Sequence, residues 1–424
     1  MTSIRNNESS TKILNLHHDN LDDIYTQIIN CKKIIMLTGA GISCNAGIPD
    51  FRSINGLYNL IPNSSSSIKG KDLFDISLFN SINTITDFAK FMSNLYLETQ
   101  KAKPTKTHKF IEKINNQKKL IRCYTQNIDG LESQLGLSLD FNEHNDSTHL
   151  KTWKKLNVIQ LHGDLNSLIC TACFEKLNWS MEYIQQMQMG ELPECPQCIH
   201  KTNLRISQGK RNTGIQGRLR PNIVLYGENH PFSDIITTGL NSDLKTKPDL
   251  FIIMGTSLKV HGVKNLVKSM SSIIHQRGGK ILLINKDFIS GWNNIIDYQI
   301  LNDCDEFIEN FENFEKIYKT SQFKTPPSTP KRKTRIIDLL NTPSPQKKRK
   351  LTIYNDNDDD TKLKQRNILI SPEESPNKKS PRIPLKNFDY NIDNKNKIKN
   401  LPPLHDFSDL RRSPRIKRIQ NLLN

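Results

Sequence analysis

The amino-acid sequence predicts an α/β protein built on a parallel sheet and carrying a small metal-binding module, and three observations predict it. Short apolar runs (Ile34 to Thr38, Ile121 to Thr125, Leu250 to Met254, Ile281 to Ile284) have the length and branched content of strands buried on both faces of a parallel sheet. Each run is followed by glycine or by small and polar residues, the chemistry found where parallel strands open onto a ligand crevice. Two Cys-x-x-Cys pairs, Cys170/Cys173 and Cys195/Cys198, are separated by 21 residues, a spacing that marks a closed tetrahedral zinc site with four thiolates.

The chain begins with a polar stretch, residues 1–19, expected to be loose. Leu21, Ile24, Tyr25, Ile28 and Ile29 then recur at helical spacing, with Asn20 as candidate N-cap. The first strand follows and breaks into Gly39-Ala40-Gly41. Glycines there allow a tight turn and a close backbone approach to a pyrophosphate at the start of a following helix. The dinucleotide fingerprint wants its third glycine where Cys44 stands, so on the glycines alone a bare loop is an equal reading. The continuation Gly47-Ile48-Pro49-Asp50-Phe51-Arg52-Ser53 adds a rigid turn, a carboxylate, an aromatic ring and a guanidinium directly after that corner. A serine run after Pro62 reads as a mobile loop, and Phe79, Ile82, Phe88, Phe91, Met92 and Leu95 as core and cleft wall.

The second strand delivers Gln126-Asn127-Ile128-Asp129-Gly130 to the crevice, and a third, from Asn157 to Leu161, delivers His162. A histidine alone is usually packed or solvated; at a strand end it is a candidate general base, since its ordinary pKa lies near working pH. The zinc site has no position left for water and is therefore structural, with His200 expected in solvent. Beyond it the chain is expected to return to the sheet at Pro221-Asn222-Ile223-Val224-Leu225, ending in Tyr226-Gly227-Glu228. Gly255-Thr256-Ser257 and Asn285-Lys286-Asp287 close the last two strands, and Phe307, Phe311, Phe314 and Tyr318 form the stripe of a closing helix.

These motifs, in this order from about residue 20 to 320, resemble the sirtuin family, the NAD-dependent protein deacylases. The resemblance implies a doubly wound, Rossmann-like parallel sheet with the zinc module, about 165–215, inserted between two strands. It implies that NAD is held by Gly39, Ala40, Gly41, Ser43, Ala46, Asp50, Phe51, Arg52, Tyr58, Gln126, Asn127, Ile128, Asp129, Gly255, Thr256, Ser257, Asn285, Lys286, Asp287 and Cys304. His162 and Asn127 are the implied catalytic residues; Tyr226, Gly227, Glu228, Leu258 and Val260 are implied to meet the acyl-lysine substrate. The implied products are free lysine, nicotinamide and O-acetyl-ADP-ribose. Cys-Asn-Ala-Gly-Ile-Pro-Asp-Phe-Arg-Ser and Tyr-Thr-Gln-Asn-Ile-Asp-Gly-Leu-Glu look most like the fungal nuclear branch that deacetylates the globular core of histone H3. Two further readings use the same residues: a sirtuin-fold ADP-ribosyltransferase, and a chromatin scaffold that senses NAD without catalysis. Acidic acyl groups are disfavoured, because no Arg or Lys lies between Asn55 and Ser67.

The chain of 424 residues carries a formal charge of +17, and most of it lies after Ser321, where 24 Lys and Arg face 11 Asp and Glu. That Pro-, Ser- and Lys-rich segment has the composition of disorder. It holds Thr329-Pro, Thr342-Pro, Ser344-Pro, Ser375-Pro, Ser380-Pro and Ser413-Pro, sites for proline-directed kinases, and the clusters Lys331 to Lys333 and Lys347 to Lys350, expected to act in nuclear import or weak DNA contact. Eight cysteines without disulfide spacing, no signal peptide and no membrane-length apolar run lead us to expect a soluble intracellular protein with no membrane partner.

Overall fold

Among the described residues ten strands follow one another: β1 (Lys12–Asn15), β2 (Ile34–Thr38), β3 (Leu120–Thr125), β4 (Val158–Gln160), β5 (Gly163–Cys170), β6 (Lys176–Asn178), β7 (Leu219–Ile223), β8 (Leu250–Met254), β9 (Lys280–Asn285) and β10 (Tyr298–Leu301). The computed structural model describes residues 11–16, 18–59, 70–139, 152–212 and 216–322. The first ten residues, the serine run and the tail beyond residue 322, with the expectations attached to them, lie outside the described residues.

Seven of the strands form one parallel sheet in the order β1-β10-β9-β8-β2-β3-β4. From β2 the chain steps outward through β3 and β4, then restarts on the other side of β2 with β8 and steps outward again. The order therefore reverses between β2 and β8, where open α/β sheets hold their ligands.

Among the described residues the helices that cover the sheet and the smaller lobe are α1 (Asp22–Asn30), α2 (Ile82–Lys101), α3 (Lys106–Asn116), α4 (Met181–Gln188), α5 (Pro196–Ser207), α6 (Ser233–Lys245), α7 (His261–His275) and α8 (Cys304–Gln322). Both central strands are buried at every position because side chains alternate between two covered faces. Ile34 and Met36 face a layer of Ile24, Ile28, Phe110, Phe307 and Phe311 from α1, α3 and α8. Ile35 and Leu37 face Ile236, Leu240, Val263, Leu266 and Met270 from α6 and α7. The aromatic stripe of α8 closes on Tyr25, whose ring lies 5.5 Å from Phe307 and 5.4 Å from Phe314.

Three expectations need correction. The segment after the zinc module does not rejoin the main sheet: β7 pairs antiparallel with β5 in a separate three-stranded sheet, β6-β5-β7. Its alternating burial is that of a sheet covered on one face, unlike the continuous burial of β2 and β8. The module accordingly spans residues 163–223, and its core is shared with α2 through Phe88 and Met92. At the amino end, residues 12–15 are not loose but form β1, the parallel edge strand beside β10. Its half-exposed Lys-Ile-Leu-Asn has no apolar periodicity to betray it. Lastly, Leu21 rather than Asn20 is the N-cap of α1, although the Asn20 carboxamide oxygen still accepts the Asp22 N–H at 2.7 Å.

A buried charge network ties β3 to α6. The Asp243 carboxylate accepts Arg122 Nε at 3.0 Å and Arg122 Nη2 at 3.1 Å, the Tyr124 hydroxyl at 2.9 Å and Trp153 Nε1 at 3.1 Å, while the guanidinium lies over the Trp153 ring. Removing one partner leaves the other charge unpaired in the interior. We expect Asp243→Ala to lower stability by about 3–5 kcal/mol, read as a shift in the urea unfolding midpoint.

Candidate active site

At the reversal point the ends of β2 and β8 touch backbone to backbone. Gly39 N–H donates to Met254 O at 3.1 Å and Gly41 N–H to Gly255 O at 2.8 Å. A Cβ on Gly39 would stand 2.7 Å from Thr256 Cβ, and one on Gly41 2.8 Å from Gly255 Cα. These glycines are therefore demanded by the meeting of two strand ends, before any ligand is considered. Gln126, at the end of β3, fastens the third strand: its N–H donates to Thr38 O at 2.9 Å and its side-chain amide to Thr256 Oγ1 at 2.8 Å.

The helix expected after Gly41 is absent. Two 3-10 turns, Ala40–Ile42 and Cys44–Ala46, take its place and end at Gly47 with φ 88°. A turn this short has no helix dipole to offer a pyrophosphate. The anion would have to be met by backbone N–H groups and by side chains such as Arg52.

Ala40, Ser43, Ile48, Phe51, Asn127 and Asp129 line a pocket against this corner. Ser43 Oγ donates to Asp129 Oδ2 at 2.7 Å and accepts Asn127 Nδ2 at 3.1 Å, which orients the Asn127 carboxamide. Its Oδ1 is buried without a partner, an acceptor left over for an N–H or O–H of a ligand. The residues fit a nicotinamide riboside on that ground.

His162 stands just beyond β4, half-buried. Its Nδ1 lies 2.9 Å from the Gln126 carbonyl oxygen, which can only accept; Nδ1 therefore carries the proton and Nε2 the lone pair. Burial pulls the pKa of this ring below its usual value, against the opposing pull of the Gln126 carbonyl, so it is neutral and basic at Nε2 at physiological pH.

A second histidine, His230, sits near it and was not singled out from the sequence. The Phe232 N–H donates to its Nδ1 at 3.1 Å, and burial, with the neighbouring His162 second, lowers its pKa to about 4. It therefore stays neutral beside His162.

The remaining candidates divide by what occupies them. Asp50 is spent on its turn, accepting the N–H groups of Arg52 and Ser53 at 2.7 Å each. Ala46 packs on Ile48, Ala102 and Leu131. Arg52, Tyr58 and Tyr226 form a polar cluster: Arg52 Nη2 donates to the Tyr226 hydroxyl at 3.4 Å, and the two hydroxyls lie 3.3 Å apart. Gly227 turns with φ 84°, and Glu228 braces that turn by accepting Arg220 Nη2 at 2.6 Å and the Leu225 N–H at 2.9 Å. Leu258 and Val260 bury their side chains in the core, which leaves only their backbone to meet a substrate. Lys286 pairs with Asp303 at 3.1 Å, Asn285 Nδ2 donates to Asp287 O, and Cys304 is buried at the start of α8. Ser257 is half-buried beside Thr256, and Ile128 packs into the small lobe.

In the small lobe the four sulphurs converge. Cys170 Sγ and Cys198 Sγ are 3.6 Å apart, Cys173 Sγ and Cys195 Sγ 3.7 Å, and all four lie within 4.8 Å of one another. Zn–S bonds of about 2.3 Å in a tetrahedron place sulphurs about 3.8 Å apart, so the set fits zinc. Cys170 Sγ also accepts the N–H groups of Ala172 and Cys173, as a thiolate would. His200 is exposed on α5 and outside this set, as expected.

Residues 39–262 match the model of the Sir2 family. The NAD-dependent histone deacetylase HST3 of Saccharomyces cerevisiae is 47% identical over 408 residues, covering 87% of this chain and 88% of the yeast protein. The chain belongs to the Sir2 family, the sirtuins. The protein of the same name from Candida albicans is 51% identical over 68% of this sirtuin and 61% of its own length. Among solved structures, a Sir2 homologue in complex with NAD superposes with a TM-score of 0.52 at 25% identity, over 72% of this sirtuin and 96% of that chain.

Metal analysis of this sirtuin should return one zinc per chain. Cys170→Ser or Cys195→Ser should lose the metal and lower the melting temperature together, because the binding energy of a structural metal is also folding energy. Unchanged melting on loss of zinc would overturn the structural assignment.

Proposed function

We propose that this sirtuin is an NAD-dependent protein lysine deacetylase acting on histones, and that His162 is its general base. The observation that carries the reading is the fixed tautomer of His162, with Nδ1–H held by Gln126 and a free basic Nε2 at the edge of the crevice. The name of the HST3 relatives, shared over most of both chains with the yeast protein, supports the reaction and the substrate class.

NAD, when bound, supplies a nicotinamide leaving group and the ADP-ribose that takes up the acetyl group. Asn127 offers Oδ1 to a ligand donor while Ser43 and Asp129 hold its amide in place. His162 takes a ribose hydroxyl proton on Nε2, and the Gln126 carbonyl steadies the imidazolium through Nδ1–H. The Tyr226 strand end and the backbone of Leu258 to Val260 are the proposed seat of the acyl-lysine peptide, which would pair as an added strand. The buried phenyl, phenol and aliphatic groups around Tyr226, Phe51 and Phe74 exclude water from that channel.

Beyond residue 322 the reading rests on composition. The basic clusters support nuclear import and weak DNA contact, and the Ser/Thr-Pro sites support control by proline-directed kinases, each phosphate adding about −1.5 to −2 charges to a basic segment. A chain ending at Gln322 should turn over a short acetyl-peptide as the full chain does and differ in nuclear fraction and lifetime.

His162→Ala should keep fold and zinc but lose about 10²–10⁴-fold in kcat. In the wild-type chain, turnover should fall on acidification with a midpoint below the ordinary histidine value of about 6.5, since the base must be unprotonated and its pKa is lowered by burial. Acetylated nucleosomes incubated with and without NAD, every lysine read by mass spectrometry, test the substrate. Transfer of label from NAD onto protein instead of onto acetate would replace this reading with ADP-ribosyl transfer.

A further inference from the structure

Two buried titratable side chains beside the pocket, His108 and Glu132, have no part in the chemistry above, and they meet Asp129, which does. His108 from α3, Glu132 from the 3-10 turn Leu131–Leu135 and Asp129 each place one donor atom within 4.8 Å of the others. His108 and Glu132 are fully buried and Asp129 nearly so.

The protons can be placed. The Thr105 N–H donates to His108 Nδ1 at 3.2 Å, so the neutral ring carries its own proton on Nε2. That Nε2 has no hydrogen-bond partner, and the near polar neighbours of the Glu132 carboxyl are the Thr125 hydroxyl and its own backbone N–H. Asp129, by contrast, is satisfied as an anion by the Ser43 hydroxyl at 2.7 Å and the Leu131 N–H at 3.1 Å. Burial first, and the Asp129 charge second, push the Glu132 carboxyl up to about 8, and burial pulls His108 down against Asp129 and Asp305. At neutral pH the Glu132 carboxyl and the His108 ring are then both held toward their uncharged forms.

We propose that Glu132 is a positioning residue whose protonated carboxyl keeps Asp129 the single charge behind the pocket, and whose ionisation disrupts the Asp129–Ser43–Asn127 chain and weakens cofactor binding. Two carboxylates within 4.8 Å in a dry interior repel strongly. An ionised Glu132 would also set a second charge near the unpartnered His108 Nε2–H. The Thr125 hydroxyl gives a second route, since it accepts the Asn127 N–H at 3.1 Å and adjoins the Glu132 carboxyl. The other titratable groups facing the pair are the Cys123 thiol of β3, which burial holds protonated, and Asp305 of α8, which accepts the Thr107 N–H and hydroxyl.

This inference takes the pocket from the NAD reading, and its test reads binding separately from turnover. ADP-ribose and nicotinamide affinities of the full, zinc-loaded chain would be measured by calorimetry from pH 6.5 to 9.5, for wild type and Glu132→Gln. A required proton costs about tenfold in affinity per pH unit above its pKa. Wild-type nicotinamide affinity should therefore fall about fivefold between pH 8 and pH 9 for a carboxyl that titrates at about 8, whereas E132Q, which imitates the protonated acid, should bind with little change across the range. In turnover the alkaline loss should appear in KM for NAD before kcat. Equal alkaline loss in both chains, or none in wild type, overturns the proposal. Absence of turnover with intact pH-dependent binding would instead fault the deacetylase reading. If Glu132→Gln does not fold, the infrared band of a protonated carboxyl in the wild-type chain must disappear through the same window; a band absent at pH 7 overturns the proposal.

Discussion

Everything at the centre of this sirtuin depends on the contact of two strand ends, Gly39 to Gly41 against Gly255 and Thr256. The parallel sheet is wound outward from β2 in both directions, so β2 and β8 are adjacent in space while more than two hundred residues separate them in sequence. Their ends can touch because Gly39, Gly41 and Gly255 carry no Cβ where they meet, and Gln126 extends the junction to β3. Asn127, Asp129 and His162 are all placed relative to that junction, His162 through the carbonyl of the same Gln126 that bonds Thr256.

Much of this was legible in the residues. The central strands announced themselves because full burial on two faces leaves no polar alternation, and the polar residues after them announced the crevice. The four cysteines were legible because thiolate spacing reflects local geometry, so no knowledge of the rest of the fold was needed.

What was hidden depends on partners far along the chain. Nothing in Lys12 to Asn15 says that it pairs with β10, and nothing in Leu219 to Ile223 says which of two sheets it joins. Gly39 and Gly41 were read as making room for a ligand, whereas the volume they vacate belongs first to Gly255. Nothing in the sequence around His108, Glu132 and His230 says that they lie in the interior, since burial is a property of the assembled fold.

The pairing of β1 with β10 bears on how the domain is made. Among the described residues, the edge strand β1 is the first of the main sheet to be synthesised, yet it pairs with β10, the last to appear. On a ribosome, β1 must wait through nearly three hundred residues of synthesis before its ladder can form, while β2, β3 and β4 can already associate. Only four residues pair in that ladder, so few contacts hold the edge strand in place. The outer edge is thus a latch set last, and the first place from which the assembled domain should fray.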